Sequence, residues 1–237
     1  MVTTPAAPVP SRTIDFGRAF SFVAEDPDWI RKILIGGAFT LACAVLVGIP
    51  FVLGYSSRTF RNVAAGAQRP LPDWDDLGGL FEDGLRLALV YFAHVLGLIV
   101  VFALFAAVLL APVFMAANMP GKTADPLGFM AGLGVLLLYA LVAVVSLALA
   151  VYLPAAFARA SLSGRAGTAF EWRENLAFIR DNLANYALAL VCYLVASFLS
   201  QFGFLLCCIG VFPAAFWSHL VLAAALGETV RVSPRSY

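Results

Sequence analysis

The residues of this chain best suited to chemistry crowd into one stretch, 58–83. Arg58 and Arg61 lie one helical turn apart, so a helix projects both guanidinium groups from one face, with Asn62 beside them. A loop stiffened by Pro70 and Pro72 then leads into Asp73, Trp74, Asp75 and Asp76, with Glu82 and Asp83 beyond. In one reading this is a binding site: the arginines hold a lipid phosphate, or the carboxylates hold a cation or a basic partner. In the other it is an internal latch. The acidic loop folds back to neutralise Arg58 and Arg61 where unpaired charge near hydrocarbon is costly, and Trp74 anchors the loop at headgroup level. Elsewhere, His94 and His219 sit within apolar runs. There they could relay protons, ligate a pigment or haem iron, or simply bond a neighbouring carbonyl or serine. No residue set has the geometry of a metal site, and no cofactor is expected unless one of these histidines holds it.

What must position these groups follows from composition. Of the 237 residues, 62% are hydrophobic and only 12% charged, against roughly 25% charged in an ordinary soluble domain. A water-soluble fold of this size cannot bury so much apolar surface, which excludes a soluble enzyme or a DNA-binding module, and disorder with them. The chain is therefore expected to be an all-α integral membrane protein. A net charge of +1 points to no anionic partner. The basic residues line a membrane boundary, so no nucleic acid is expected as a partner.

Residues 33–57, 87–121, 126–158 and 182–227 carry no charge, and one span needs about 20 residues. The second and third stretches each hold one long span. The fourth holds two, broken near Cys208-Ile209-Gly210-Val211-Phe212-Pro213. The first is either one span or a hairpin broken at Gly48-Ile49-Pro50. With a hairpin, every Lys and Arg except Lys122 shares one side, a far stronger asymmetry than the alternative, and this favours six spans. The spans read as 29–47, 51–66, 85–110, 128–153, 183–206 and 212–227, with both termini cytoplasmic in a prokaryotic inner membrane. Phe51 to Arg58 covers only about 10 Å of helix, so 51–66 is the weakest span and a re-entrant hairpin is the fallback. Residues 12–228 then form one membrane domain, with tails at 1–11 and 229–237. Residues 1–11 lack the basic start and apolar core of a signal peptide and read as a flexible tail.

The segments FVAEDPDWIRKIL, LFEDGLRLAL and FIRDNLANYALAL align around Asp26, Asp83 and Asp181, followed by Pro27, Gly84 and Asn182. This predicts three hairpins, each preceded by a short interfacial amphipathic helix, with a turn or cap at each acidic position. Cys43, Cys192, Cys207 and Cys208 all lie in apolar runs and read as small buried hydrophobes. Gly128, Gly132 and Gly134, with Ala131, could let helices pack closely.

The runs DPDWIRKILIGG, GYSSRTFRNVAAG and RPLPDWDDLGGLFEDGL resemble the prokaryotic membrane family filed as domain of unknown function 4013. The likeness extends over about residues 13–227. It implies a multi-span membrane domain and supplies no activity.

No metalloprotease, nucleophile-elbow, phosphate-loop or dinucleotide motif occurs, and no span contains an acidic residue. The expectation is therefore a non-enzymatic accessory or scaffold subunit of a larger membrane complex, in contact with membrane lipids and partner subunits. The alternatives are a transport or channel component, or a lipid-handling protein.

Overall fold

The computed structural model describes residues 13–117, 124–205 and 209–233. The expected N-terminal tail, Lys122 in the expected outer loop, the Cys207-Cys208 pair and residues 234–237 lie outside the described residues. Every regular element among the described residues is helical. Helix α1 (Phe16–Ser21) continues through a 3-10 turn into α2 (Trp29–Ala42). Then come α3 (Gly48–Ala64), α4 (Leu77–Ala117), α5 (Ala124–Ser163), α6 (Trp172–Asp181), α7 (Leu183–Ser200) and α8 (Val211–Arg231).

Four stretches are long and apolar enough to cross a membrane: Leu77–Ala111, Gly132–Ser163, Leu183–Leu205 and Val211–Arg231. They correspond to α4, α5, α7 with its 3-10 continuation, and α8. Helix α2 has 14 residues and α3 has 17, shorter than one hydrocarbon crossing. The protein is thus a membrane-type helical protein with four such helices among the described residues, where the charge pattern predicts six.

Two boundaries differ from the expectation. The turn between α2 and α3 falls at Leu46-Val47, with Leu46 in the left-handed region at φ 65, and Gly48-Ile49-Pro50 opens α3. Proline is tolerated in a first helical turn because the N–H it lacks has no partner there. Asp83-Gly84 is not a helix boundary either, since α4 runs through it unbroken from Leu77. The second hairpin of the expected repeat therefore has no separate preceding helix. Gly84 serves packing instead. A Cβ there would collide with the Pro50 carbonyl, and one at Gly54 with the Leu80 carbonyl. Helices α3 and α4 meet backbone to backbone at this crossing.

The chain divides into two compact units, one made of the chain up to Ala88 and from Pro154 onward, the other Leu89–Leu153. In the first, α8 packs against α2, α3 and α7. Its Phe216, Leu220 and Ala224 join Tyr55, Val52, Leu71 and Leu80 in one buried cluster. The start of α6 places Asn175 and Phe178 inward, whereas Trp172 and Leu176 face outward, the amphipathic pattern of a helix lying at an interface.

The second unit holds most of α4, the most apolar of the described helices, and hardly buries any of it. The most apolar window of the α4 span is 0% buried and that of the α5 span 6%. Within this unit the helices approach where Gly134 meets the Leu109 carbonyl, while Gly132 has nothing near its Cβ position. The side chains at 128 and 131 lie outside the described residues.

The crossing gives a direct test. Gly84→Ala is expected to destabilise the detergent-purified protein by about 2–3 kcal/mol, because backbone on both sides leaves no room to repack. Gly97→Ala, which faces open space, is expected to be neutral or to stabilise by up to about 1 kcal/mol. Thermal unfolding of the two variants checks both.

Candidate functional site

The 65–76 segment between α3 and α4 is a strap, and its backbone explains why. Pro70 and Pro72 have no N–H, so the strap is rich in acceptors and short of donors. Three side chains from the helices supply what is missing, each to a successive carbonyl. Asn62 Nδ2 donates to Pro70 O at 2.9 Å, Lys32 Nζ to Leu71 O at 3.2 Å, and the Tyr55 hydroxyl to Pro72 O at 2.8 Å. In return Trp74 Nε1 donates to Lys32 O at 3.1 Å.

Lys32 is the anchor. It is only 7% exposed, and besides Leu71 O its ammonium holds Asp26 Oδ2 at 2.8 Å and Asp73 Oδ1 at 2.9 Å. An ammonium has three protons, and here three acceptors meet them. Asp26 is fixed in turn by the Asp28 backbone N–H at 2.9 Å.

Trp74, expected as an anchor at headgroup level, is stacked among other aromatic rings. Its ring lies between Tyr55 and Phe39, at 4.4 and 4.9 Å between centroids, and Phe51 stacks on the far side of Phe39 at 4.4 Å. The result is a column of four rings, with Phe216 edge-on to Tyr55 at 5.3 Å. Stacked rings with their polar tips satisfied are well suited to a partly buried position.

The arginines are held by the start of α4. Arg58 Nη2 reaches Asp76 Oδ2 at 2.8 Å and its Nε reaches Asp83 Oδ2 at 3.1 Å, while Arg61 Nη2 takes the same Asp83 oxygen at 2.8 Å. Asp76 has a second task, accepting the Gly79 N–H at 2.9 Å through Oδ1, the bond that caps α4. This backbone N–H, and then the Arg58 guanidinium, hold the Asp76 carboxyl below the usual carboxylate range. Asp75 caps the Asp76 N–H. Within the expected set, then, Asp76 turns to Arg58, Asp73 turns to Lys32, and Asp75 stays local. Lys32, Asp26 and Tyr55 were not among the sequence candidates. The signals present were a lysine and an aspartate bracketing the entry of α2, and a tyrosine one turn before Arg58.

The two histidines fall in different units. His94 belongs to the 89–153 unit and His219 to the other. Nδ1 of His94 donates to Val90 O at 2.8 Å, and its ring lies 5.8 Å from that of Tyr152. His219 stacks on Tyr193 at 5.9 Å. Among the described residues no group of three His, Cys, Asp or Glu is placed to hold a metal ion. Cys43 and Cys192 are free thiols, the first bonded to Phe39 O at 3.4 Å.

Beside the strap opens a cavity of about 520 Å³, between the first three turns of α2 and residues 73–77. Its wall combines the charged groups of both segments with the apolar edges of Ile35, Phe39 and Leu77.

Two consequences can be measured. Asp83→Asn leaves both arginines without their shared carboxylate and is expected to cost roughly 2 kcal/mol. Asp76→Asn, at an exposed position, is expected to cost less at neutral pH. Because folding lowers the Asp76 pKa, its contribution is complete above the unfolded value and is lost as the pH falls through the folded one, that is, below about pH 4. Unfolding of both variants from pH 7 down to pH 3 checks this: Asp76→Asn should flatten the acid limb of the curve.

A family model described as protein of unknown function (DUF4013) matches residues 37–209, a range that contains the strap and its arginines and begins after Lys32. No curated protein and no solved structure matches the chain.

Proposed function

The chain belongs to the DUF4013 family of proteins of unknown function, and we propose that it is a non-enzymatic accessory or scaffold subunit of a larger membrane complex. The observation that carries this reading is the unburied length of the 89–153 unit. Helix α4 has 41 residues, and its charge-free part from Leu87 onward is about 45 Å long at 1.5 Å per residue. A hydrocarbon layer of about 30 Å covers about 32 Å of helix at the usual 20° tilt. Roughly two turns of apolar helix are left over, and helix α5 has a similar excess. Leu104, Val108 and Phe114 are among the most exposed side chains there. A surplus of this kind suits burial against another membrane protein.

The charged groups support the same view. Lys32, Arg58 and Arg61 are engaged with the protein's own carboxylates, which fits a structural role better than catalysis. In this reading six helices cross a prokaryotic inner membrane as three hairpins, α2–α3, α4–α5 and α7–α8, with both termini in the cytoplasm. Lipids and partner subunits are its contacts, and no cofactor is required.

Gentle purification from the native membrane tests the function. A stoichiometric protein partner is expected, and Leu104→Ser with Val108→Ser is expected to lower its recovery while leaving the protein folded. Recovery of the wild type as a lone monomer would overturn the reading. The crossing of α2–α3 is checked by Val47→Cys in a cysteine-free background. An impermeant maleimide is expected to label it from the outer face only, and labelling from the cytoplasmic face would contradict the six-span arrangement.

A further inference from the structure

We propose that the cavity between α2 and the strap binds the headgroup of an aminophospholipid, a ligand carrying a primary ammonium and a phosphate. Its volume, about 520 Å³, lies within the range of small-molecule sites. Its charge is what selects the ligand. Five charged residues line it: Asp28, Arg31, Lys32, Asp73 and Asp75. Lys32 and Asp73 are committed to each other at 2.9 Å. Arg31 has no ion-pair partner among the described residues, and neither has the carboxylate of Asp28 or Asp75. The cavity therefore offers one guanidinium and two carboxylates without an ion pair, of which only Asp75 is partly engaged, through Oδ1 to the Asp76 N–H. A phosphate satisfies the first and an ammonium the others.

Two further features narrow the choice. Both aromatic residues in the wall, Phe39 and Trp74, have both ring faces covered by the four-ring column. No open π face is left on them for a quaternary ammonium, whose recognition depends on such faces. A primary ammonium needs hydrogen-bond acceptors instead, and the carboxylates provide them. The site also has an apolar side. Ile35 and Leu77 line the cavity, and Leu34, one turn from Arg31 on the same helix, stands exposed beside it. A ligand with acyl chains continues onto that surface, whereas a water-soluble zwitterion gains nothing from it.

Native mass spectrometry of the full-length protein in mild detergent, titrated with phosphatidylethanolamine, phosphatidylcholine, phosphatidylglycerol and soluble phosphoethanolamine, tests the assignment. Phosphatidylethanolamine is expected to bind about tenfold more tightly than the other two lipids, the worth of one charge-assisted contact. Arg31→Gln and Asp28→Asn are each expected to erase most of that preference without lowering the unfolding temperature, since neither side chain has an ion-pair partner to lose and the Asp28 side chain makes no capping bond to α2. Equal binding of the three lipids, or an undiminished preference in both variants, would overturn the proposal. Soluble phosphoethanolamine binding as tightly as the lipid would overturn its assignment to a membrane ligand.

Discussion

Three consecutive carbonyls, those of Pro70, Leu71 and Pro72, need donors that the strap itself cannot supply. The two prolines remove N–H groups where the chain turns back beside the membrane helices. Polar backbone left unpaired in such surroundings costs several kcal/mol. Asn62, Lys32 and Tyr55 meet the demand from α3 and α2. The arrangement of the first three long helices follows from this. A strap tied to α2 and α3 at once fixes their separation, brings Trp74 between Phe39 and Tyr55, and delivers Asp76 and Asp83 to the arginines of α3.

The electrostatics are arranged around the same strap. Lys32 and Arg58 each sit between two carboxylates, and Arg61 shares one of Arg58's. Charge at these positions is matched and hydrogen-bonded, the condition under which partly buried ions persist. Arg58 and Arg61 already have protein carboxylates as partners. Arg31, on the other side of Lys32, and Arg69, within the strap, have no ion-pair partner among the described residues. Chemistry directed outward is therefore better sought at the start of α2 than on the paired arginines.

How much of this the sequence shows depends on range. Arg58, Arg61 and Asn62 share a helical face by spacing alone, and the acids beyond the prolines are their nearest source of opposite charge, so a folded-back loop is legible. The division of labour among the acids is not. Asp73 reaches Lys32 on a different helix, and Lys32 and Leu71 are 39 residues apart in sequence. Asp83-Gly84 looks like a boundary because an aspartate followed by a glycine is common turn chemistry. A glycine that lets two helices cross backbone to backbone carries the same letter. Trp74 near a charged run looks like an interfacial anchor, and its stacking with Phe39 and Tyr55 depends on helices that the local sequence does not show. The four longest apolar helices are legible because composition over about 20 residues needs no tertiary information, whereas the shorter α2 and α3 are defined by their packing.

A double-mutant cycle on the strap is the most direct measurement. Lys32→Met and Tyr55→Phe each release one of two neighbouring carbonyls, and thermal or denaturant unfolding in detergent reads each loss. If one strap holds the helices together, freeing it at either point lowers the value of the other tie. The expected result is a coupling of roughly 1 kcal/mol or more between the two losses. Losses that add to within about 0.5 kcal/mol would mean that the two contacts act separately, and would contradict the strap as the element on which the rest depends.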